Sequence, residues 1–155
     1  MPARTGAPRS SATITVRMVA TARCEVRTTG QGDVRDISAE VAAAVARSGL
    51  SSGVVTVAVV GSTASITTIE HEPGAVADLG TALERLAPRD GEYRHHERWG
   101  DDNGSSHVRA AILGPSVTLP FTDGQVDLGT WQQIVLAEFD TRPRTRSVVV
   151  RMLGD

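Results

Sequence analysis

Three of the four histidines in the chain lie within one stretch of fourteen residues, 94–107, which reads "RHHERWGDDNGSSH". Neutral imidazoles are common ligands of zinc and other divalent metals. Two glycines in the stretch allow the backbone to fold back, so that His95 and His107 can approach one cation. The spacing matches no regular metal motif, and a solvated loop with surface histidines is the simpler interpretation. The residue types alone leave both interpretations open.

The carboxylate best suited to work with these histidines is Glu70, which closes an apolar stretch. It is a candidate metal ligand or general base. Glu72 and Asp78 stand near the start of a predicted helix, where the helix dipole favours acidic residues in any protein. Those two therefore need no functional explanation, whereas Glu70 does.

Arginines in two places are suited to holding phosphate. Arg142, Arg144 and Arg146 alternate on one turn, and Arg109 follows closely after His107. Guanidinium groups bind phosphate through paired hydrogen bonds, so these residues could form a clamp. The alternative is that they only keep a strand edge from pairing with other molecules.

Two hydroxyls and one aromatic ring are further candidates. Ser62 and Thr63 belong to "GSTAS" at 61–65, a strand junction that suits an anion site and equally a plain turn. Trp131, one of five aromatic residues, could stack on a ligand ring. Filling a core is the more usual task of a tryptophan.

Hydrophobic periodicity predicts the elements that must position these side chains. Two amphipathic helices are predicted, one from Ser38 to Gly49 and one at 75–87 before Pro88. Alternating or apolar runs predict strands at residues 14–26, 53–60, 64–70, 108–113, 117–121, 126–128, 131–140 and 147–153. This pattern predicts an α+β fold, with two helices on one side of a largely antiparallel sheet or distorted barrel.

Size and charge narrow the functional classes. The 155 residues, 40% of them hydrophobic, suffice for one domain, expected at 13–155 after a flexible tail at 1–12. A net charge of −2 without a long basic run argues against a nucleic-acid partner. No apolar run approaches the roughly 20 residues that cross a membrane, so we expect a cytoplasmic protein without a membrane partner. Cys24, the single cysteine, is expected to be a core thiol.

Several motifs follow one another in a fixed order along the chain. They are "IEHEPG" at 69–74, "YRH" at 93–95, Asn103 with His107, "GPS" at 114–116, "GTWQ" at 129–132 and "EFD" at 138–140. In these features, from about residue 13 to the end, the sequence resembles the YjbQ family of secondary thiamine-phosphate synthases. Several ordered motifs are more specific than any one alone.

The resemblance implies a homotrimer with a polar pocket in which histidines surround an anion or a divalent metal, magnesium or zinc. It implies a reaction that joins a pyrimidine diphosphate to a thiazole phosphate. Together with the residue types, it assigns His107 and Glu70 to catalysis and His95, His107 and Glu70 to a metal. The residues expected to bind the substrate, a small phosphorylated metabolite, are Ser62, Thr63, Asn103, Arg109, Ser116, Trp131, Arg142 and Arg144.

Two positions depart from the family pattern. Family members usually carry histidine at the position of Gly61, and some carry one at the position of Ser105. A site of three imidazoles is therefore incomplete, and Glu70 or water would have to complete it. Two main hypotheses remain: a transferase of the family type, and a non-catalytic oligomeric protein that binds metal or anion at an altered site. Metal-assisted hydrolysis of a phosphate ester is a third.

Overall fold

The computed structural model describes residues 18–155, so the predicted tail at 1–12 lies outside the described part. The elements in this range are β1 (Met18–Thr28), β2 (Val34–Asp36), α1 (Ser38–Ser48), β3 (Gly53–Val59), β4 (Ala64–Ile69), α2 (Pro73–Leu86), α3 (Arg94–Trp99), α4 (Gly104–Leu113), β5 (Ser116–Thr122), β6 (Gln125–Val126), β7 (Gln133–Glu138) and β8 (Arg144–Gly154). No helix in this range is long and apolar enough to span a membrane.

The strands form two antiparallel sheets. Sheet one has the order β1-β8-β3-β5-β6, and sheet two has the order β2-β7-β4. Strands β1 and β8 pair along their whole length, from Met18 opposite Gly154 to Thr28 opposite Arg144. The predicted α+β fold with largely antiparallel strands is confirmed.

The main core lies between the two sheets and α1. Buried aliphatic side chains from β3, β8, sheet two and the inner side of α1 form it, and Leu136 of β7 belongs to it. The next residue along β7, Ala137, belongs instead to a smaller cluster with Leu83 of α2 and Ala110 of α4. Because successive residues of a strand point to opposite faces, β7 is covered on both sides. Sheet two is thus the central layer.

The prediction of two helices is wrong, because the described residues form four. The predicted strand at 108–113 is the second half of α4. Ser106, Ala110 and Leu113, spaced by four and three, form the side of α4 that faces sheet two, and these small or partly polar residues hide the helical pattern. Val108 and Ile112, which suggested a strand, are 39% and 49% exposed.

The predicted ends of the other helices are nearly correct. Helix α1 ends at Gly49, whose φ of 73° is the left-handed conformation that glycine adopts readily. Helix α2 begins two residues earlier than predicted, because the Glu72 carboxylate accepts the N–H groups of Gly74 and Ala75. These hydrogen bonds lower the pKa of Glu72. Cys24 is half-buried against the core, and burial, followed by the charge of Glu40, raises the pKa of its thiol.

Candidate functional site

The histidine stretch folds into α3 and α4, joined by a tight connection. Helix α3 ends at Gly100, which has a left-handed φ of 66°. The chain then reverses, and the rings of His95 and His107 meet with their centroids 4.5 Å apart and their planes at 53°. The structure therefore brings together the two histidines that the sequence singled out. Both are half-buried.

Two side chains from the connection lie beside His95. Its Nε2 is 3.3 Å from Oδ2 of Asp101. In the orientation that satisfies its hydrogen bonds, the amide nitrogen of Asn103 lies 3.1 Å from His95 Nε2 and 3.2 Å from Asp101 Oδ1. Polar partners of this kind fix the orientation of an imidazole.

His96 has a different task. Its Nε2 accepts the backbone N–H of Gly104 at 3.0 Å, and its ring packs edge-on against Tyr93 with centroids 5.5 Å apart. The first N–H groups of a helix have no partner within the helix. His96 therefore caps α4 and holds it against α3.

A buried polar cluster lies between the sheets where β7 ends and β8 begins. Arg146 has the same parity in β8 as the buried Val148 and Val150, so its side chain points inward. Its Nε and Nη2 donate to the Glu138 carboxylate at 2.7 and 2.5 Å, and Nη2 also donates to Oγ1 of Thr63 at 2.7 Å. This ion pair joins sheet one to sheet two.

The Glu138 carboxylate is fully buried and has further donors. It accepts the hydroxyl of Thr28 and the backbone N–H of Asp140, both at 2.9 Å. A buried charge is tolerated only when it is paired and hydrogen-bonded. Because donors surround Glu138, its task is to hold the Arg146 guanidinium in place.

Asp140 connects this cluster to the arginine turn. Burial alone would raise the pKa of Asp140, but hydrogen bonds from Arg144, Thr63 and the Arg142 N–H outweigh that effect and hold the pKa below its usual value. The three distances are 2.9, 3.0 and 3.2 Å. Asp140 thus stays ionised and orients Arg144.

Two hydrogen bonds join the arginine turn to the histidine helices. Thr141 Oγ1 donates to Oδ1 of Asp102 at 3.1 Å, and Ser106 Oγ donates to the carbonyl of Phe139 at 2.5 Å. We call this region the histidine end of sheet two. It comprises the exposed Ser62 together with Thr63, His95, Asn103, His107, Glu138, Asp140, Arg142, Arg144 and Arg146.

Glu70 and Trp131 lie at the opposite end of the same sheet. Strand β4 pairs with β7 from Ala64 opposite Glu138 to Ile69 opposite Gln133. At about 3.3 Å per residue, Glu70 is roughly 20 Å from the histidine end. Trp131 is 69% exposed. We call this region, made of Glu70, His71, Trp131, Gln132 and Gln133, the tryptophan end.

Two other predicted site residues have different surroundings. Arg109, 2% exposed, donates to the carbonyl of Ala87 through Nε and Nη2 at 2.9 and 2.7 Å and to Glu84 at 2.6 Å. It therefore closes the C-terminus of α2, and its hydrogen bond lowers the pKa of Glu84. Ser116 lies opposite Ala58, which stands between two buried valines, so Ser116 is on the outer face of sheet one.

The residues present do not fit the expected metal. Across residues 18–155, no group of three or more His, Cys, Asp and Glu side chains converges to hold an ion. Catalytic zinc usually has three protein ligands, and Glu70 is too far away to join His95 and His107. Ser105 has a buried hydroxyl with no hydrogen-bond partner in the described range.

Sequence reasoning gave no role to Glu138 and Asp140 and placed Arg146 only in a phosphate clamp. The alternation of residues along β8 could have revealed these roles. Arg146 lies on the same side of the strand as the core residues Val148 and Val150, and a buried charge there requires a partner of opposite charge. Glu138, at the end of an apolar strand, is the matching residue.

Comparison with known proteins agrees with this fold. The model of the family described as "UPF0047 protein YjbQ-like" matches residues 22–155. A UPF0047 protein of Methanothermobacter thermautotrophicus is 37% identical over 136 residues, which cover 88% of this chain and 93% of the relative. The UPF0047 protein YugU of Bacillus subtilis is 30% identical, over 84% of this chain and 96% of the relative.

Solved structures show the same fold. A YbjQ-like protein of unknown function from Sulfolobus solfataricus superimposes with a TM-score of 0.83 at 30% identity, covering 90% of this chain and all of the other. A YjbQ/UPF0047 family protein from Clostridium acetobutylicum has a TM-score of 0.76 at 33% identity, covering 84% of this chain and 98% of the other. The chain therefore belongs to the YjbQ-like UPF0047 family.

Proposed function

We propose that the histidine end binds a small phosphorylated metabolite. One observation carries this proposal. The hydrogen bond between Thr141 and Asp102 holds the turn that bears Arg142 and Arg144 beside the helices that bear His95 and His107. Guanidinium and imidazole N–H groups are the donors that phosphate oxygens accept best, and they stand here on adjoining segments.

The proposed reaction is the one that the resemblance implies. The bond between the pyrimidine methylene carbon and the diphosphate oxygen breaks, and diphosphate leaves with the electron pair. The lone pair of the thiazole nitrogen forms the new carbon–nitrogen bond. Arg142 and Arg144 stabilise the negative charge that grows on the departing diphosphate, and His107 donates a proton to it.

Glu70 and Trp131 can take part in this reaction only if another copy of the chain supplies them. Within one chain they lie at the tryptophan end, roughly 20 Å from the histidine end. In the proposed homotrimer, the tryptophan end of one copy meets the histidine end of the next, where Trp131 stacks on a substrate ring. Mixing inactive His107→Ala and Trp131→Ala chains should then restore part of the activity, and mixtures as inactive as their components would overturn this arrangement.

The binding proposal is tested by titration calorimetry with inorganic diphosphate. Replacing Arg144 by Gln should weaken binding at least tenfold, about 1.4 kcal/mol. The matched control is Arg151→Gln, because Arg151 lies on the exposed side of β8 and reaches Thr21 of β1. We expect the control to bind within twofold of wild type. Absence of diphosphate binding by wild type would contradict the proposal.

The transfer is tested with both substrates and purified protein, with and without added magnesium. Thiamine phosphate should form above an enzyme-free blank, and His107→Ala should abolish it. Binding without product would favour the second hypothesis, a non-catalytic binding protein. The absence of an imidazole at Gly61 is the observation that supports this alternative.

A further inference from the structure

The missing side chain of Gly61 leaves an open space beside the guanidinium group of Arg146. A Cβ atom built at Gly61 would lie 3.0 Å from Nη1 and 4.0 Å from Cζ of Arg146. Apart from the two adjacent residues, no other atom of residues 18–155 lies within 4 Å of it. At Gly53 and Gly154, by contrast, a Cβ would collide with backbone atoms of a neighbouring segment. Gly53 and Gly154 therefore allow two backbone segments to pack closely, whereas the space at Gly61 is bounded only by the end of the Arg146 side chain.

Nη1 is the guanidinium nitrogen of Arg146 that makes no hydrogen bond within residues 18–155. Nε and Nη2 donate to Glu138 and Thr63, and within residues 18–155 no acceptor is hydrogen-bonded to Nη1. A guanidinium has five N–H groups, and two of them are on this nitrogen. Among the described residues, the Ser105 hydroxyl is the one buried side-chain polar atom without a hydrogen-bond partner, so Nη1 reaches solvent although Arg146 as a whole is only 8% exposed. An acceptor from outside the chain can therefore reach Nη1 beside Gly61.

We propose that Gly61 and Nη1 of Arg146 form a subsite for one oxygen of a phosphate group. This inference rests on the proposed function, because the subsite belongs to the same histidine end. Glu138 holds the guanidinium plane through two hydrogen bonds, so the donor is already oriented before the ligand arrives. The Asp140 carboxylate accepts hydrogen bonds from Arg144 and Thr63, and its Oδ2 lies 3.9 Å from Nη2 of Arg146.

A side chain at position 61 would reduce access to this subsite. The φ of Gly61, 155°, is a backbone conformation that residues other than glycine rarely adopt. A Cβ atom there would lie 3.0 Å from Nη1, where it would compete with a phosphate oxygen. We therefore expect this contact to require glycine at position 61.

The test is diphosphate affinity of Gly61→Ala and Arg146→Lys, measured by titration calorimetry. The first variant fills the space, and the second keeps the charge near Glu138 but removes Nη1. Each should bind at least tenfold more weakly than wild type. The matched control is Gly80→Ala, which adds a methyl group in α2 where nothing lies within 4 Å, and it should bind within twofold.

Agreement between the two variants separates closure of the subsite from backbone strain at position 61, and thermal unfolding shows which variants are folded. If Arg146→Lys does not fold, Gly61→Ala decides alone. Wild-type affinity in the folded variants, together with a loss in Arg144→Gln, overturns the subsite and leaves the proposed function standing. A wild-type protein that binds no diphosphate overturns both.

Discussion

The two ends of sheet two carry similar residue types in different surroundings. At the histidine end, the carboxylates of Glu138 and Asp140 are 0% and 3% exposed, and donors from several elements surround them. At the tryptophan end, Glu70 and Trp131 are exposed. Hydrogen bonds there join residues near the surface, such as Gln132 to Thr68 at 3.1 Å. Buried charged side chains are therefore held by several donors at the histidine end, whereas at the tryptophan end hydrogen bonds hold His71, Gln132 and Gln133 but leave Glu70 and Trp131 in solvent.

The largest expected effect on stability comes from Glu138→Ala. The change leaves the buried Arg146 guanidinium without its counter-charge, which should lower the free energy of unfolding by about 3–5 kcal/mol. At the tryptophan end, Glu70→Ala should change it by less than about 0.5 kcal/mol. Denaturant unfolding of both variants at pH 7 measures the difference. Similar losses for the two variants would show that the buried and the exposed carboxylate contribute equally to stability, which contradicts the account.

Asp140→Asn should cost about 1–3 kcal/mol at neutral pH, because a charged acceptor of three hydrogen bonds is lost. The folded pKa of Asp140 is below its unfolded value, about 3.9, so the charged form stabilises the fold above that pH. Its contribution is lost as the pH falls through the folded pKa. The stability gap between wild type and variant, from urea unfolding at several pH values, should therefore be constant above about pH 5 and shrink below pH 4. A gap that widens in acid would reverse the assigned direction.

Ser106→Ala should lower stability by about 1–2 kcal/mol, since it leaves the buried carbonyl of Phe139 without its donor. The hydrogen bond attaches α4 to the end of β7, so the loss also loosens the helix that carries His107. Faster amide hydrogen exchange in α4, with unchanged exchange in β1 and β8, is the expected signature. An increase in exchange of the same size in α4, β1 and β8, or no increase in any of them, would show that Ser106 does not anchor this helix.

Trp131→Ala should have the smallest effect on folding, within about 0.5 kcal/mol, because the side chain is largely in solvent. If the tryptophan end meets another copy, the same change should lower the mass of the assembly. Sedimentation at several concentrations measures both variant and wild type. An unchanged mass would contradict an interface at Trp131, and a large loss of stability would show that Trp131 packs within its own chain.

Local pattern predicted much of the fold. Alternation at 20–26 and the aliphatic run at 54–60 predicted β1 and β3, and the three-four spacing from Val76 to Leu86 predicted α2. Helix α4 escaped prediction because its buried side uses Ser106 and Ala110, which carry no hydrophobic signal. This side packs against β4, as the hydrogen bond from Ser65 to the Ala110 carbonyl shows, and that contact is distant in sequence.

The site was predictable only in part. His95, Asn103 and His107 are close in sequence, so their meeting follows from a short connection that reverses the chain. The distance between Glu70 and these residues depends on strand direction and register, which motif order does not reveal. The Arg146–Glu138 pair depends on two sheets meeting face to face, and only the charge within an inward-facing strand position indicated it.

The most direct test follows backbone amide and indole NMR resonances of the ¹⁵N-labelled protein during titration with inorganic diphosphate. We predict that signals of residues 61–63, 103–107 and 140–146 shift together along one binding curve, while the Trp131 indole signal shifts only if copies are associated. Shifts confined to the tryptophan end, or none at any site, would contradict the assignment of the histidine end as the phosphate-binding site.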